Sequence, residues 1–211
     1  MSWRIAPIGL LLLAASGPAR VAEIATYGTG LLPCNTYLAA REEDHPLQVR
    51  FINWLSGYLS GANVASPRRN NILGELDMDT ALREIAAFCQ ARPNHPFAVA
   101  VGSLAIAAAQ QARTHGTETI SYGSGLRLCS AYLQAGAADS LDHAEFIDWV
   151  GGYVSGFNAL SLHTTSILGS RELTAALDGL KQYCAMHPET LLTEATRTFL
   201  VPTDAARVAA R

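Results

Sequence analysis

Charged residues are scarce in this chain: they make up 16% of its 211 residues, against 49% hydrophobic residues. A typical globular protein is about 25% charged. The high apolar content excludes intrinsic disorder, which requires low hydrophobicity and a high net charge. The 15 Lys and Arg residues are outnumbered by 18 Asp and Glu residues, so no basic excess is present to bind the phosphates of a nucleic acid.

Common catalytic and metal-binding motifs are also missing. The sequence contains no Gly-x-Ser-x-Gly, His-Glu-x-x-His or phosphate-loop pattern and no Cys-x-x-Cys pair. His143, Glu145 and Asp148 form one acid–histidine cluster, which we interpret as a solvated helix start because the matched segment described below does not repeat it. We therefore expect a protein that is not an enzyme and that uses no metal or cofactor.

Two glycine pairs precede predicted helices, Gly28 with Gly30 and Gly123 with Gly125. Backbone amides at such positions can bind an anion. Neither pair follows a strand, and neither is followed by the third glycine of a nucleotide-binding fingerprint. We therefore predict that both pairs form turns.

The N-terminus has the pattern of a secretory signal peptide over residues 1–22. Arg4 is followed by an apolar run over residues 5–15 and by small residues over 16–19. This run, like a second apolar stretch over residues 97–109, is shorter than the ~20 residues of a membrane span. We predict a core helix for the second stretch and no span in the mature chain. The expected location is periplasmic or secreted.

The remainder of the chain is one module written twice. Residues 51–63 match residues 146–158. Every matched pair is separated by the same number of residues as Cys34 and Cys129, so the alignment of the two copies needs no gap. Roughly a third of the aligned positions are identical, which is a strong internal repeat. The sequence predicts two lobes joined near residues 114–117: helical repeat 1 over residues 24–115, helical repeat 2 over residues 119–203, and a C-terminal tail over residues 204–211.

Each repeat is predicted to form four helices, and convincing strands with a period of 2 are absent, so the fold class is all-α. The helices of the first repeat are predicted over residues 31–41, 47–64, 79–92 and 96–113. Those of the second are predicted over residues 126–136, 142–160, 172–187 and 189–201. Pro93 and Pro188 follow the third helix of each repeat as stop signals.

Four cysteines in an exported chain, placed as two repeated pairs, predict disulfides. Three connectivities are possible, and the duplication favours Cys34–Cys89 with Cys129–Cys184, because each module is then closed by its own bridge. Closing the loop between the two cysteines of one module stabilises the folded module by up to ~4 kcal/mol. Metal binding is the alternative, but no His or second Cys stands at short ligand spacing.

The second helix of each repeat has an apolar side with a Trp and an opposite side of small residues. A glycine inside a helix costs ~1 kcal/mol, and glycines one turn apart let a second backbone approach closely. We predict that these faces pack against another helix, across the interface of the two lobes. The alternative is a shallow partner-binding groove edged by Asn63 and Asn158. The residues assigned to this helix-packing or partner-binding face are Trp54, Gly57, Tyr58, Ser60, Gly61, Asn63, Trp149, Gly152, Tyr153, Ser155, Gly156 and Asn158.

The sequence around the cysteines resembles a known family. Residues 34–38 are Cys-Asn-Thr-Tyr-Leu, residues 88–93 are Phe-Cys-Gln-Ala-Arg-Pro, and residues 129–133 and 183–188 match them in the second repeat. Together with the Trp54 helix, this pattern resembles the periplasmic HdeA/HdeB acid-stress chaperones, here tandemly duplicated. The resemblance implies helical modules with one disulfide each, and a stress protein or chaperone that loosens in acid and shields protein clients.

The Trp54 helix carries a second resemblance. Residues 57–61 are Gly-Tyr-Leu-Ser-Gly, which looks like a segment of the Tai-type periplasmic immunity proteins, inhibitors of secreted toxins. From the two resemblances we expect an exported protein whose partner is another protein, either a client or a toxin. An enzyme of unknown class is the third alternative.

Overall fold

The computed structural model describes residues 24–42, 45–66, 71–111, 119–136 and 140–201. The predicted signal peptide, the junction near residues 114–117 and the C-terminal tail lie outside these residues. Within them the fold is all-α, as predicted, with eight α-helices and two 3-10 turns. Strand-like pairing among the described residues is limited to two isolated antiparallel bridges, Pro33–Pro96 and Leu128–Leu191.

We call residues 24–111 half one and residues 119–201 half two. In each half a short segment without helix leads into a 3-10 turn, and four α-helices follow in the same order. Half one contains the turn Gly28–Leu31 and the helices α1 (Cys34–Glu42), α2 (Pro46–Ala65), α3 (Met78–Ala91) and α4 (Phe97–Gln111). Half two contains the turn Gly123–Leu126 and the helices α5 (Cys129–Gln134), α6 (Leu141–Leu160), α7 (Leu173–Met186) and α8 (Leu192–Leu200).

Local interactions explain where several helices begin. α6 follows Ser140, whose hydroxyl accepts a hydrogen bond from a backbone N–H of the first turn at 3.0 Å. α1 and α5 begin later than predicted, at Cys34 and Cys129, because the preceding residues form the 3-10 turn and an extended link. α8 begins at Leu192, also later than predicted, because the residue before it pairs with Leu128 in a bridge.

Each half has its own hydrophobic core, built around the tryptophan of its second helix. Trp54 and Trp149 are both fully buried. In half one, the rings of Tyr37, Phe51 and Phe97 pack against one another with centroids 4.7 to 5.3 Å apart, and the Phe97 ring lies 5.9 Å from the ring of Trp54. Such edge-to-face aromatic contacts add to the stabilisation that comes from the burial of apolar area.

The four cysteines form the two predicted disulfides, and all four are fully buried. Cys34–Cys89 joins α1 to α3, and Cys129–Cys184 joins α5 to α7, each across a sequence separation of 55 residues. The predicted connectivity is therefore confirmed. Because each bridge lies within one half, it restricts the unfolded chain of that half, an effect of up to ~4 kcal/mol.

α4 contains the apolar stretch that the sequence predicts as a core helix. Phe97, Val101 and Ala105 are fully buried, whereas Val99 and Ile106 are exposed. α4 is thus a core helix on one face and presents apolar side chains to solvent on another. In the part of the chain that the structure describes, no helix combines the length and the hydropathy that crossing a membrane requires.

Candidate functional site

The small-residue faces of α2 and α6 pack directly against each other. Gly57 and Gly61 of α2 lie against backbone carbonyl groups of α6, and Gly152 and Gly156 of α6 lie against backbone carbonyl groups of α2. A Cβ built on any of these four glycines would stand 2.0 Å from a carbonyl oxygen. No larger residue fits at these positions without a shift of the backbone. A glycine costs ~1 kcal/mol in an isolated helix, and the close contact of the two helices explains why glycines are nevertheless present here.

Two serines on these faces hold the first residues of the opposite half. We call residues 24–27 and 119–122 the leading segments. The Ser60 hydroxyl accepts a hydrogen bond from the Tyr122 N–H at 3.0 Å, and the Ser155 hydroxyl accepts one from the Tyr27 N–H at 2.9 Å. Each hydroxyl also donates to a carbonyl of its own helix at 2.7 Å. Both serines are therefore fully used inside the interface.

Asn63 and Asn158 extend the same contact. Their side-chain amides donate to the leading segments of the opposite halves, at Ile120 O (2.8 Å) and Ala25 O (2.9 Å). Their amide oxygens accept backbone N–H groups from the loops after their own helices, at 2.6 and 2.7 Å. Both asparagines are 2% exposed. The alternative of a partner groove edged by them is therefore wrong, because the opposite half fills that space.

The glycine pairs form turns, as predicted, and the turns seat the two tryptophans. Gly28 and Gly123 have φ of 67° and 60°, a backbone conformation that favours glycine. A Cβ on Gly30 or Gly125 would stand 2.1 Å from the indole ring of the same half. The indole N–H of each tryptophan donates to the last carbonyl of its own leading segment, at 2.7 and 2.8 Å. These glycines therefore serve packing.

The leading segments consequently bind both halves at once. Tyr27 accepts a hydrogen bond from Trp54 of its own half and donates one to Ser155 of the other. Tyr122 repeats this arrangement in the opposite direction. The two halves are interlocked through these segments as well as through the α2–α6 contact.

Asp148 corrects our interpretation of the acid–histidine cluster. This residue is 1% exposed and lies in the interface between the halves, not at a solvated helix start. The Arg50 Nε–H donates to its Oδ2 at 2.6 Å, and the Thr29 hydroxyl hydrogen-bonds to its Oδ1. Since Arg50 and Thr29 belong to half one, the carboxylate of Asp148 joins the two halves.

Glu145 and Asn53 occupy the matched positions on the other side of the interface. Asn53 Oδ1 accepts a hydrogen bond from the Ser124 hydroxyl at 2.7 Å, as Asp148 does from Thr29. Burial raises the pKa of the Glu145 carboxyl, and the neighbouring charge of Asp142 raises it further. The interface thus has an ion pair to Asp148 on one side, and on the other an asparagine at the matched position that is hydrogen-bonded to a serine hydroxyl. The sequence signal for both sides of the interface is a change of charge between the repeats, in which Arg50 is matched by Glu145 and Asn53 by Asp148.

Half one carries an apolar groove between its leading segment and α4. Its volume is about 430 Å³, and its lining is Ile24, Ala25, Thr26, Leu31, Pro96, Ala98 and Val99. Ile24, Leu31 and Val99 are 46%, 58% and 42% exposed, so the apolar walls of the groove face solvent. Sequence reasoning missed this surface because it interpreted the apolar stretch of α4 as core alone.

The matched surface of half two is more polar at two positions. Thr193 and Glu194 stand where Ala98 and Val99 stand in half one. The Thr193 hydroxyl is hydrogen-bonded to the Ser121 hydroxyl at 2.8 Å. Ile120 and Leu126 remain 40% and 56% exposed, so the two halves differ in these two residues and not in all of their exposed apolar surface.

Two further observations bear on chemistry. Burial raises the pKa of the Tyr58 and Tyr153 hydroxyls above the ordinary tyrosine range, so both stay neutral. Among the described residues, no three His, Cys, Asp or Glu side chains are grouped so that they could hold a metal ion.

No protein-family model matches the chain, and no curated protein or solved structure matches it.

Proposed function

We propose that this chain is an exported, non-enzymatic protein that binds other proteins, of the HdeA-like stress or chaperone type, in the periplasm or outside the cell. The observation that carries the proposal is the solvent-facing apolar groove of half one. Exposed apolar surface of this kind is typical of sites that bind other proteins. The two buried disulfides support export, because disulfides persist in oxidising compartments.

The electrostatics of the interface support a response to acid. The Arg50–Asp148 ion pair joins the halves through opposite charges. When the carboxylates of a protein are protonated in strong acid, its cations remain, which over the full chain here are 15 Lys and Arg and 6 His residues. Self-repulsion then favours a looser structure that exposes more apolar surface to clients.

The test is protection of an aggregating enzyme, with malate dehydrogenase as the client. Light scattering is followed at pH 2–3 and at pH 7, with and without the full chain. We expect protection in acid, and we expect Val99→Glu to remove most of it, because this change gives the groove the residue found at the matched position of half two.

Leu162→Glu is the matched control. Leu162 is 80% exposed and does not line the groove, so the change removes an exposed leucine and leaves the lining of the groove unaltered. Equal protection by the wild type, Val99→Glu and Leu162→Glu would exclude the groove as the client surface. Absence of protection in acid, together with 1:1 capture of a single partner at neutral pH, would replace the chaperone function with that of an immunity-type inhibitor.

A further inference from the structure

A second concave site lies on half one, between three helices. Its volume is about 340 Å³, and its lining is Tyr37, Arg41, Gln48, Asp79, Leu82 and Arg83. Tyr37 and Arg41 come from α1, Gln48 from α2, and the other three residues from α3. We call this site the arginine pocket. Its size is at the lower end of the range for small-ligand sites.

The described residues that line the arginine pocket carry a net positive charge. Arg41 and Arg83 contribute two guanidinium groups, and Asp79 contributes one carboxylate, which leaves one positive charge in excess. Arg83 Nη2 donates to the Thr80 hydroxyl at 2.7 Å, which orients the guanidinium on α3. A guanidinium presents paired N–H donors whose geometry matches a carboxylate.

Tyr37 is a buried member of the lining, and its residue is 1% exposed. Burial raises the pKa of the Tyr37 hydroxyl, and the charge of Arg41 opposes the rise, so the hydroxyl stays neutral. Tyr37, Arg41 and Arg83 therefore line one space, to which they bring one neutral hydroxyl and two guanidinium groups.

Half two shows which of these residues the framework needs. The matched positions keep the tyrosine and the leucine, as Tyr132 and Leu177, but replace the four polar or charged residues. These replacements are Gly136, His143, Thr174 and Asp178. Burial and the charge of Asp178 raise the pKa of Tyr132 to about 12, so the matched site has the opposite local charge. The arginines are therefore not required by the packing of α1, α2 and α3.

We infer that the arginine pocket binds one carboxylate group, presented by an acidic side chain of a protein partner. A group with a single negative charge neutralises the pocket, whereas a dianionic phosphate would face Asp79 with an uncompensated charge. The inference rests on the proposed protein-binding function for the source of the carboxylate, since that function brings partner side chains to half one.

The test is a titration of the full-length mature chain with propionate, followed by NMR at the amides of α1 and α3, with inorganic phosphate titrated in parallel. We expect saturable shifts around Tyr37 and Leu82 with propionate and a weaker response to phosphate. Arg41→Gln and Arg83→Gln should each weaken half-saturation about tenfold, the effect of one lost charge-assisted contact.

Lys181→Gln serves as the control, because it removes one exposed positive charge from α7 in half two. Unchanged half-saturation in both arginine variants, or shifts that never saturate, would overturn the inference, as would tighter binding of phosphate than of propionate. The titration needs no client, so saturable binding without protection in acid would contradict the proposed function and leave the pocket assignment standing. Thermal unfolding of each variant verifies that these exposed substitutions leave the fold intact.

Discussion

Half one and half two share the order of their helices, the separation of their disulfide cysteines and a buried tryptophan, but their surfaces differ. Half one has an apolar groove beside α4 and an arginine pocket between α1, α2 and α3. At the matched positions half two has Thr193 and Glu194, and Asp178 in place of Arg83. The comparison separates residues that the framework requires in both halves from residues that only one half carries.

The interface between the halves shows the same distinction at its centre and its edges. The four glycines that bring α2 and α6 together occupy matched positions in the two helices. The charged residues at the edges do not match. Arg50 and Asp148 form an ion pair on one side, whereas the matched residues on the other side are Glu145 and Asn53. Packing is therefore symmetric, and electrostatics is asymmetric.

The largest effect is expected when the symmetric part is broken by Gly152→Ala. A Cβ at Gly152 would stand 2.0 Å from a carbonyl oxygen of α2, so the helices must move apart, at a cost of about 3 kcal/mol in the free energy of unfolding. The neighbouring Gly151→Ala is the control. Its Cβ would meet nothing closer than 3.6 Å, and higher helix propensity should stabilise the protein by up to ~1 kcal/mol.

Urea unfolding of the two variants measures this difference directly. Similar midpoints for Gly151→Ala and Gly152→Ala would contradict the close approach of α2 and α6. The same comparison can be repeated in half one with Gly57→Ala, which faces a carbonyl of α6 at the same distance.

An intermediate effect is expected from Asp148→Asn, which breaks the asymmetric ion pair. The variant leaves Arg50 without its partner, and we expect a loss of about 1 to 2 kcal/mol at pH 7, because the Arg50 side chain is partly exposed and water relieves part of the cost. Urea unfolding at pH 7 measures this loss.

Asp142→Asn is the control for this prediction. Asp142 also pairs with an arginine, Arg127, at 2.6 Å, but both side chains are at least 40% exposed. An exposed pair contributes less than about 1 kcal/mol. Equal effects of the two substitutions at pH 7 would show that burial of Asp148 does not matter.

The smallest effect is expected from Glu145→Gln, on the other side of the interface. Because burial and Asp142 raise the pKa of Glu145 in the folded state, the charged carboxyl opposes folding at neutral pH and the protonated form does not. Gln resembles the protonated form. We therefore expect a gain of less than about 1 kcal/mol at pH 7, because solvent screens this side chain.

This gain should vanish as the pH falls through the raised pKa of Glu145. Thermal unfolding of the wild type and the variant from pH 3 to pH 7 measures this change. Destabilisation of the protein by Glu145→Gln at pH 7 would reverse our assignment of the two sides.

Much of the framework could be predicted from the repeat. Matched cysteines at equal separations favoured the observed connectivity, and the boundaries of α2, α3, α6 and α7 were predicted to within about two residues, the usual precision of helix ends. The starts of α1, α5 and α8 were missed, because short 3-10 turns and single bridges leave weaker signals than a helical period. The glycines of α2 predicted a close helix contact through their lack of side chains.

The groove, the arginine pocket and the role of Asp148 could not be derived in the same way. Ile24 and Val99 belong to segments far apart in the chain, and only the fold brings them to one groove. Asp148 has the sequence context of an exposed helical residue, yet Arg50 and Thr29 from the other half surround it. Contacts between distant segments depend on how the helices pack, and the helical period carries no information about them.

The sequence by itself thus determined the all-α class and the small faces of α2 and α6, and it favoured one of three disulfide connectivities, because each of these follows from local periodicity or from the duplication. Only the tertiary structure decided that those faces are buried against each other and that the leading segments connect opposite halves. It also decided that the apolar groove and the arginine pocket both lie on half one. The physical reason is that a face of glycines in the sequence indicates only that another backbone comes close. Which backbone this is depends on the packing that buries the most surface and that satisfies the hydrogen bonds of Ser60, Asn63 and their matched residues.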